Sequence, residues 1–444
     1  MKTMDFEKYR DALRGMDPIE YAGRVVKIVG LTVESDGPAS RIGDVCRIYP
    51  DRGERYIQAE VVGFRDQRVL LMPFGKMDGV GLGSRVISTN RSFEVPVGKE
   101  LIGRVVDALG RPMDNGGPIK AEGFYPAENE PPSPFERQRI KDIFPMGIRA
   151  IDGLLTIGRG QRAGIFAGSG VGKSTMMGMI ARNSASDVNV ITLVGERGRE
   201  VKDFLEKDLG SEGIKKSVLV VATSDQPALL RLKSALTGTA IAEYFRDKGY
   251  NVLLLMDSLT RFAMAQREIG MAVGEPPISR GFPPSVYSVL PKLLERSGTS
   301  ERGSITGLYT VLVEGDDMNE PVADTVRGIL DGHIVLSRNL ASANHYPAID
   351  VLSSISRIMT DVVTPEHSRK AGFVKNTMAV YRDAKELIDI GAYRKGSNPE
   401  IDSAIALHGS IDAFLKQGVN EITTFDGALE GLAEIGGQVE KSSE

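Results

Sequence analysis

The chain has 444 residues, 41% of them hydrophobic and 26% charged, so it can bury sizeable cores in two or three domains. A net charge of −4, no tryptophan and 6% aromatic residues indicate no nucleic-acid partner. The single cysteine, Cys46, excludes an intramolecular disulfide and suits a reducing compartment. No apolar run approaches the roughly 18 residues of a membrane span, so we expect a soluble, cytoplasmic protein.

Residues 1–20 form the first predicted segment, which is amphipathic. Phe6, Tyr9, Leu13 and Met16 recur at helical spacing with charged residues between them. Such a pattern is typical of a frayed chain start, and equally of a helix that docks on a partner or on a membrane surface. The pattern alone favours neither interpretation.

Residues 21–93 predict a small closed β-barrel. Short strands of alternating polarity are separated there by turns rich in Gly, Pro and Asp. The predicted strands are Arg24–Val33, Asp44–Tyr49, Tyr56–Phe64, Val69–Met72 and Arg85–Ser88. Residues 94–144 follow as a connector rich in Gly and Pro, with Pro131-Pro132-Ser133-Pro134 as its clearest linker signal.

The strongest motif begins with a short apolar strand, Ala163 to Ala167, which leads into a glycine-rich turn and then an apolar helix. This order is that of a phosphate-binding loop, with Ala167 in place of the first glycine of the strict pattern. Lys173 can supply positive charge to the β- and γ-phosphates, and the Ser174 hydroxyl can ligate Mg²⁺. Because the glycines let backbone N–H groups point at phosphate oxygens, we predict a nucleotide site formed by Gly168, Ser169, Gly170, Val171, Gly172, Lys173, Ser174 and Thr175.

Residues 145–365 predict a doubly wound α/β core. Continuous apolar runs of strand length suit a parallel sheet that is covered on both faces. The runs are Val188–Val194, Val218–Val221, Val252–Met256, Leu308–Val313 and His333–Leu336, with a helical stripe over Gln226–Lys248. Three acidic residues follow strands, at the sheet edge where ligands of such folds bind: Glu196, Asp257 and Glu314. The pattern becomes helical after Pro365, so residues 366–444 predict a C-terminal helical domain.

Two of these acids are candidates for the chemistry. Asp257 ends an apolar strand in the manner of a Walker B acid, which holds Mg²⁺ or its water shell. Glu196 stands where a carboxylate can orient the water that attacks the γ-phosphate, although a salt-bridge role explains its position equally well. The histidines show no metal-ligand spacing and are interpreted as structural or surface residues: His333, His345, His367 and His408.

Longer motifs resemble the rotary ATPase superfamily. They are Gly195-Glu-Arg-Gly-Arg-Glu200, Gly274-Glu-Pro-Pro277, Arg280-Gly-Phe-Pro-Pro-Ser285, Leu294-Glu-Arg-Ser-Gly298 and Ser354-Ile-Ser-Arg357. Within that superfamily, Leu259-Thr-Arg-Phe-Ala-Met-Ala-Gln-Arg-Glu268 is similar to the flagellar type III export ATPases. The resemblance covers nearly the whole chain. It implies a barrel, a RecA-like P-loop core and a helical end, in an ATP- and Mg²⁺-dependent hydrolase that assembles as a homohexamer.

The resemblance also assigns roles to residues. It makes Glu196 the catalytic carboxylate and Arg197 a phosphate-side contact. Arg261 resembles the arginine that faces the γ-phosphate, and Tyr346 the tyrosine that stacks on adenine. Arg357 resembles an arginine finger that is supplied to the neighbouring subunit's site. With Lys173 and Asp257, the glutamate and the three arginines complete the predicted catalytic set, and Tyr346 joins the predicted nucleotide-binding residues.

The implied setting is protein export at the inner face of the cytoplasmic membrane. The resemblance implies docking beneath a membrane export gate, with export regulator and stalk proteins, export chaperones and export substrates as partners. The loop from Gly274 to Phe282 would line the central channel of the hexamer, where the stalk protein contacts it.

Two alternatives stay open. The first is the ATPase of a virulence-type secretion system or, less favoured, an F- or V-type catalytic subunit. Met264 and Gln266 favour the flagellar branch, because virulence-type ATPases more often carry a small or basic residue there. The second is a hexameric RNA translocase with the same core, which the acidic composition and the lack of aromatic residues clustered among basic ones count against. Lys173, Glu196 and Asp257 are all present, which disfavours a subunit that binds nucleotide but has only a structural role.

Overall fold

The computed structural model describes residues 21–50, 55–313, 315 and 317–442. The amphipathic segment predicted at residues 1–20 and the strand-end residue Glu314 lie outside the described residues. The chain divides into two compact units. The first contains Met1–Phe93 with Ile269–Glu275, and the second contains Glu94–Glu268 with Pro276–Glu444.

The first unit contains the predicted β-barrel, closed in the strand order β1-β2-β5-β4-β3-β6. Its strands are β1 (Ala22–Val29), β2 (Thr32–Ser35), β3 (Asp44–Tyr49), β4 (Ile57–Arg65), β5 (Arg68–Pro73) and β6 (Arg85–Ser92). Alternate side chains fill the interior, among them Val33, Ile48 and Leu71. The single long strand predicted over Arg24–Val33 was wrong, because the chain turns back at Gly30 and Val29 pairs with Thr32.

The second unit contains a nine-stranded sheet, ordered β17-β16-β10-β15-β13-β11-β12-β8, with β14 paired to β15. Its strands are β8 (Val105–Asp107), β10 (Arg162–Ala167), β11 (Val188–Glu196), β12 (Ser217–Thr223), β13 (Asn251–Asp257), β14 (Gly298–Thr299), β15 (Ser304–Leu312), β16 (Gly332–Leu336) and β17 (Ile349–Ser356). The predicted apolar runs are strands β11, β12, β13, β15 and β16, and they pair in parallel through β10 and one another. The predicted connector contributes β8 to this sheet, and also the separate pair β7 (Glu94–Val97) and β9 (Gly123–Pro126).

The sequence patterns did not predict the strand that follows the apolar run His333–Leu336. β17 follows it and pairs with it in the antiparallel direction. As an edge strand, β17 carries serine and aspartate among its apolar residues and buries only Ile349, Val351 and Ser354, so it lacks the continuous apolar run of the central strands.

Helices cover the sheet and form the C-terminal region. They are α1 (Arg149–Leu154), α2 (Lys173–Asn183), α3 (Gly198–Asp203), α4 (Gly210–Lys215), α5 (Ala228–Asp247), α6 (Leu259–Val273), α7 (Pro284–Glu295), α8 (Pro321–Ile329), α9 (Arg338–Ser342), α10 (Met359–Val362), α11 (Pro365–Asp389), α12 (Pro399–Leu415) and α13 (Phe425–Ser442). A π-helical turn spans Phe204–Leu209, and a 3-10 turn spans Lys99–Leu101. Helix α5 is the helix predicted over Gln226–Lys248. In the part of the chain that is described, no helix has the length and apolar character to cross a membrane.

One continuous core joins the nucleotide-binding region to the C-terminal helices. Met177 and Ile180 of α2 belong to the same buried cluster as Ile411 and Phe414 of α12. The C-terminal region is therefore packed on the sheet domain.

Because the central strands run parallel, their carboxyl ends meet at one edge of the sheet. Strands β10, β11 and β13 end there at Ala167, Glu196 and Asp257.

Candidate functional site

The phosphate-binding loop has the predicted strand–turn–helix context. It leaves β10 after Ala167 and enters α2 at Lys173. Gly170 and Gly172 have φ values of 78° and 83°, in the left-handed region that strains other L-residues. Val171 anchors the loop in the core, whereas Ser169, Gly170 and Ser174 are exposed. The first N–H groups of α2 therefore lie beside an open loop, which is a ready site for phosphate.

Lys173 and Asp257 meet directly. The Lys173 Nζ donates to Asp257 Oδ1 at 2.5 Å, and the Thr310 hydroxyl donates to the same oxygen at 2.6 Å. Asp257 is only 4% exposed, so the lysine neutralises a buried carboxylate and the hydroxyl helps to hold it in place. A γ-phosphate at the loop would compete with Asp257 for the lysine.

The donor set near the loop fits Mg²⁺. The exposed Ser174 hydroxyl and the Asp257 carboxylate are oxygen ligands, which Mg²⁺ prefers. Within the described residues, no group of three or more His, Cys, Asp or Glu side chains could hold a metal by itself. This is the arrangement expected of a site in which phosphate oxygens and water supply most of the ligands.

Glu196 has the electrostatics of a general base. Its side chain is 13% exposed. Burial, followed by the negative charge of Asp257 and a hydrogen bond with Glu200, raises the pKa of Glu196 to about 7. The positive charges of Lys173 and Arg261 oppose this rise in pKa. A carboxylate with a pKa near neutrality is suited to accept a proton at physiological pH.

Arg261 extends from α6 toward Glu196, with its Nε 3.8 Å from Glu196 Oε1. Gly195 makes room for it, because a Cβ at that position would lie 3.2 Å from Arg261 Cδ. The structure therefore brings together four of the predicted catalytic residues, Lys173, Glu196, Asp257 and Arg261.

The other two predicted arginines differ in position: one is exposed next to Glu196 in the chain, and the other lies at the opposite edge of the sheet. The Arg197 side chain is 75% exposed, and its nearest acidic partner is Glu200 at 3.6 Å. Arg357 is exposed and follows β17, whose last residue, Ser356, pairs with Gly332 at the start of β16. Arg357 therefore lies at the amino-end edge of the parallel sheet, opposite the phosphate-binding loop of its own chain.

Tyr346 lies against the phosphate-binding loop. Its ring carbons Cε1 and Cδ1 are 3.1 and 3.2 Å from the position that a Cβ on Gly172 would occupy. The loop can approach the ring this closely only because residue 172 has no side chain. An adenine contact by Tyr346 stays a prediction.

Sequence reasoning missed two residues of this site. Thr310 is fully buried on β15 and holds Asp257. It is a polar residue inside a predicted apolar run, and that signal could have identified it. Arg231 of α5 lies next to Gly195, because a Cβ on that glycine would be 3.4 Å from Arg231 Cδ. Arg231 also forms an ion pair with Glu268 at 2.6 Å.

Family models match three parts of the chain. Residues 147–356 match the nucleotide-binding domain of the ATP synthase alpha/beta family, and residues 25–90 match its beta-barrel domain. Residues 363–434 match the C-terminal domain of the type III secretion ATPase EscN.

Known proteins resemble nearly the whole chain. The flagellum-specific ATP synthase of Bacillus subtilis (strain 168) is 53% identical over 433 residues, which cover 97% of this chain and 98% of the relative. The type 3 secretion system ATPase of Xanthomonas euvesicatoria is 50% identical over 413 residues, 93% of each chain. The assembled ATPase EscN of enteropathogenic E. coli superposes with a TM-score of 0.87 at 46% identity, covering 93% of this chain and 99% of that one. These matches confirm the predicted resemblance and fold, and the chain therefore belongs to the ATP synthase alpha/beta family, in the branch of flagellum-specific ATP synthases and type 3 secretion system ATPases.

Proposed function

We propose that this chain is the ATP hydrolase of a flagellar type III protein export apparatus, where it helps to release substrates from chaperones and to deliver them to the membrane export gate. The observation that carries the hydrolase proposal is the convergence of Lys173, Glu196, Asp257 and Arg261 at one sheet edge beside the phosphate-binding loop. The flagellar assignment is supported by the relative from Bacillus subtilis and by Met264 and Gln266 in α6.

Each residue has a distinct task in hydrolysis of ATP. The loop N–H groups and Lys173 would hold the phosphates, and Ser174 and Asp257 would hold Mg²⁺, which would supply positive charge that neutralises the phosphates. Glu196 orients the attacking water and accepts its proton, while Arg261 faces the charge that develops on the γ-phosphate. The breaking bond joins the γ-phosphorus to the β–γ bridging oxygen, which stays with ADP.

The position of Arg357 supports a ring assembly. From the opposite edge of the sheet, this arginine can act on a γ-phosphate only across a subunit boundary, as a finger supplied in trans. A head-to-tail contact of this kind must close into a ring or continue as a filament. The structures of assembled EscN, one of them in complex with its central stalk EscO, support a homohexamer that meets a stalk protein. We assign that contact to the Gly274–Phe282 loop, as the family resemblance implies.

We also propose a location at the inner face of the cytoplasmic membrane. Residues 1–16 carry the apolar stripe that suits docking to an export regulator or to an anionic membrane surface. Export chaperones, export substrates and the export gate complete the proposed set of partners.

Rescue of swimming tests the proposed function. In a Bacillus subtilis strain that lacks its flagellum-specific ATP synthase, expression of this chain should restore motility, and the Glu196→Gln variant should not. A parallel trial in Xanthomonas euvesicatoria lacking its type 3 secretion system ATPase tests the virulence-type alternative. Rescue of secretion there without rescue of swimming would assign the chain to that alternative. Hydrolysis that requires added RNA would instead favour the translocase.

A further inference from the structure

The C-terminal helix α12 contacts the segment that carries Tyr346. His345, the residue before it, donates from Nδ1 to Asp412 Oδ1 of α12 at 2.9 Å. The second carboxylate oxygen of Asp412 accepts from Lys416 Nζ at 2.6 Å, so both oxygens are engaged. One residue further along, the Gln417 N–H donates to the Tyr346 carbonyl oxygen at 2.9 Å.

The bond to Asp412 is the one hydrogen bond that the His345 side chain makes within the described residues. The side chain is 6% exposed, and its other ring nitrogen, Nε2, is buried without a hydrogen-bond partner among the described residues. Burial lowers the pKa of His345, so the ring is neutral at physiological pH and carries its one proton on Nδ1. Without Asp412, the buried ring would have no polar partner on either side.

Gln417, which binds the Tyr346 carbonyl oxygen through its N–H, is itself held in place by its side chain. Its side chain accepts from the Arg149 N–H and donates to the Gly147 carbonyl oxygen, each at 2.9 Å. Gly147 in turn lies against Asn183, the last residue of α2, since a Cβ on Gly147 would be 2.4 Å from the Asn183 Cβ. The loop after α12 is therefore connected to both ends of the phosphate-binding element, to Tyr346 at the glycine turn and to the end of α2.

We propose that His345, Asp412 and Gln417 are positioning residues of the nucleotide site, which hold Tyr346 against the phosphate-binding loop. Nucleotide affinity then depends on how α12 packs on the sheet domain. This inference rests on the proposed nucleotide-binding function. The Tyr346 ring lies so close to Gly172 that a Cβ there would be 3.1 Å from the ring carbon Cε1. Displacement of the His345 backbone would therefore move the ring relative to the loop.

Substitution of Asp412 tests the inference. The Asp412→Ala variant should bind a fluorescent ATP analogue with Mg²⁺ about tenfold more weakly, the effect of one lost charge-assisted hydrogen bond, while kcat changes little. The conservative variant Asp412→Asn retains a carbonyl oxygen for the His345 proton and should keep most of the affinity. The matched control is Glu366→Ala, which removes an exposed carboxylate 2.7 Å from Lys370 in the same helical region and should leave affinity unchanged. Equal affinity of the Asp412→Ala variant and the wild type would overturn the inference.

A tryptophan reporter separates this inference from the proposed function. The chain has no tryptophan, so Tyr346→Trp introduces a single emitter at the position in question. Addition of Asp412→Ala to this background should shift the emission to the red before any nucleotide is present. An unshifted spectrum would contradict the positioning role. Failure of Mg·ATP to bind to, or change the emission of, the reporter with Asp412 intact would instead contradict nucleotide binding at this loop.

Discussion

Replacement of Glu196 by glutamine removes the proposed base while preserving the shape of the side chain. An amide cannot accept the proton of the attacking water, so turnover should fall by about 10²–10⁴-fold, the usual contribution of general base catalysis. ATP affinity should stay close to that of the wild type, because we propose that Lys173 and the loop N–H groups hold the phosphates. In the wild-type enzyme, kcat should rise with pH through about 7 as Glu196 loses its proton.

The same substitution should stabilise the protein at alkaline pH. The pKa of Glu196 is raised from its ordinary value of 4.5 to about 7 in the folded protein, so folding favours the protonated carboxyl group. The resulting stabilisation is fully present at a pH below the unfolded pKa of 4.5. That contribution is lost as pH rises through the folded pKa. The difference between these pKa values corresponds to roughly 3 kcal/mol. Glutamine does not ionise, so Glu196→Gln should melt above the wild type at about pH 8 and nearly match it at about pH 5.

Two assays check this prediction. Phosphate release at saturating Mg·ATP gives kcat across pH, and thermal unfolding of both proteins gives the stability difference in the same buffers. Near-wild-type turnover by Glu196→Gln would remove Glu196 from the mechanism. A variant that melts below the wild type at about pH 8 would refute the electrostatic account of its environment.

Three further changes have definite expected outcomes. Lys173→Met should weaken ATP binding by at least about tenfold, because it removes a charge-assisted contact with the phosphates. Unchanged ATP affinity in a binding titration would contradict the proposed role of this lysine. Arg296→Ala should lower the free energy of unfolding by roughly 3–5 kcal/mol, since it strands the fully buried Glu243 that now lies 2.7 Å away. Replacement of both Arg296 and Glu243 by methionine should cost much less in urea unfolding. Deletion of residues 1–16 should abolish association with the export regulator or with anionic vesicles and leave hydrolysis intact, and unchanged pull-down and flotation would leave the stripe without a docking role.

The features predicted well from the sequence depend on short-range patterns. The glycine spacing before Lys173 specifies the phosphate-binding loop, and the apolar run before Asp257 specifies a strand buried on both faces. Such patterns place residues relative to their own strand or helix. The convergence of Glu196 with Asp257 followed because the carboxyl ends of parallel strands share an edge.

The features that the sequence did not predict depend on chain reversal or on distant contacts. The β1–β2 turn interrupts an apolar pattern at Gly30, and β17 reverses direction to become an edge strand. The contact of His345 with Asp412 joins residues 67 positions apart, and neither lies in a motif that indicates the pairing. Such contacts arise only when α12 packs on the sheet domain.

In the proposed ring, each active site combines the phosphate-binding loop of one subunit with Arg357 of the next. The most direct measurement is ATP hydrolysis by a mixture of the Arg357→Ala and Lys173→Ala variants. Each variant alone should be nearly inactive, since a trans arginine is worth roughly 10³–10⁵-fold in turnover. Mixed rings should recover up to about a quarter of wild-type activity, at interfaces that join an intact loop to an intact finger. No recovery in rings shown to contain both variants would contradict the claim and place Arg357 in cis or in a structural role.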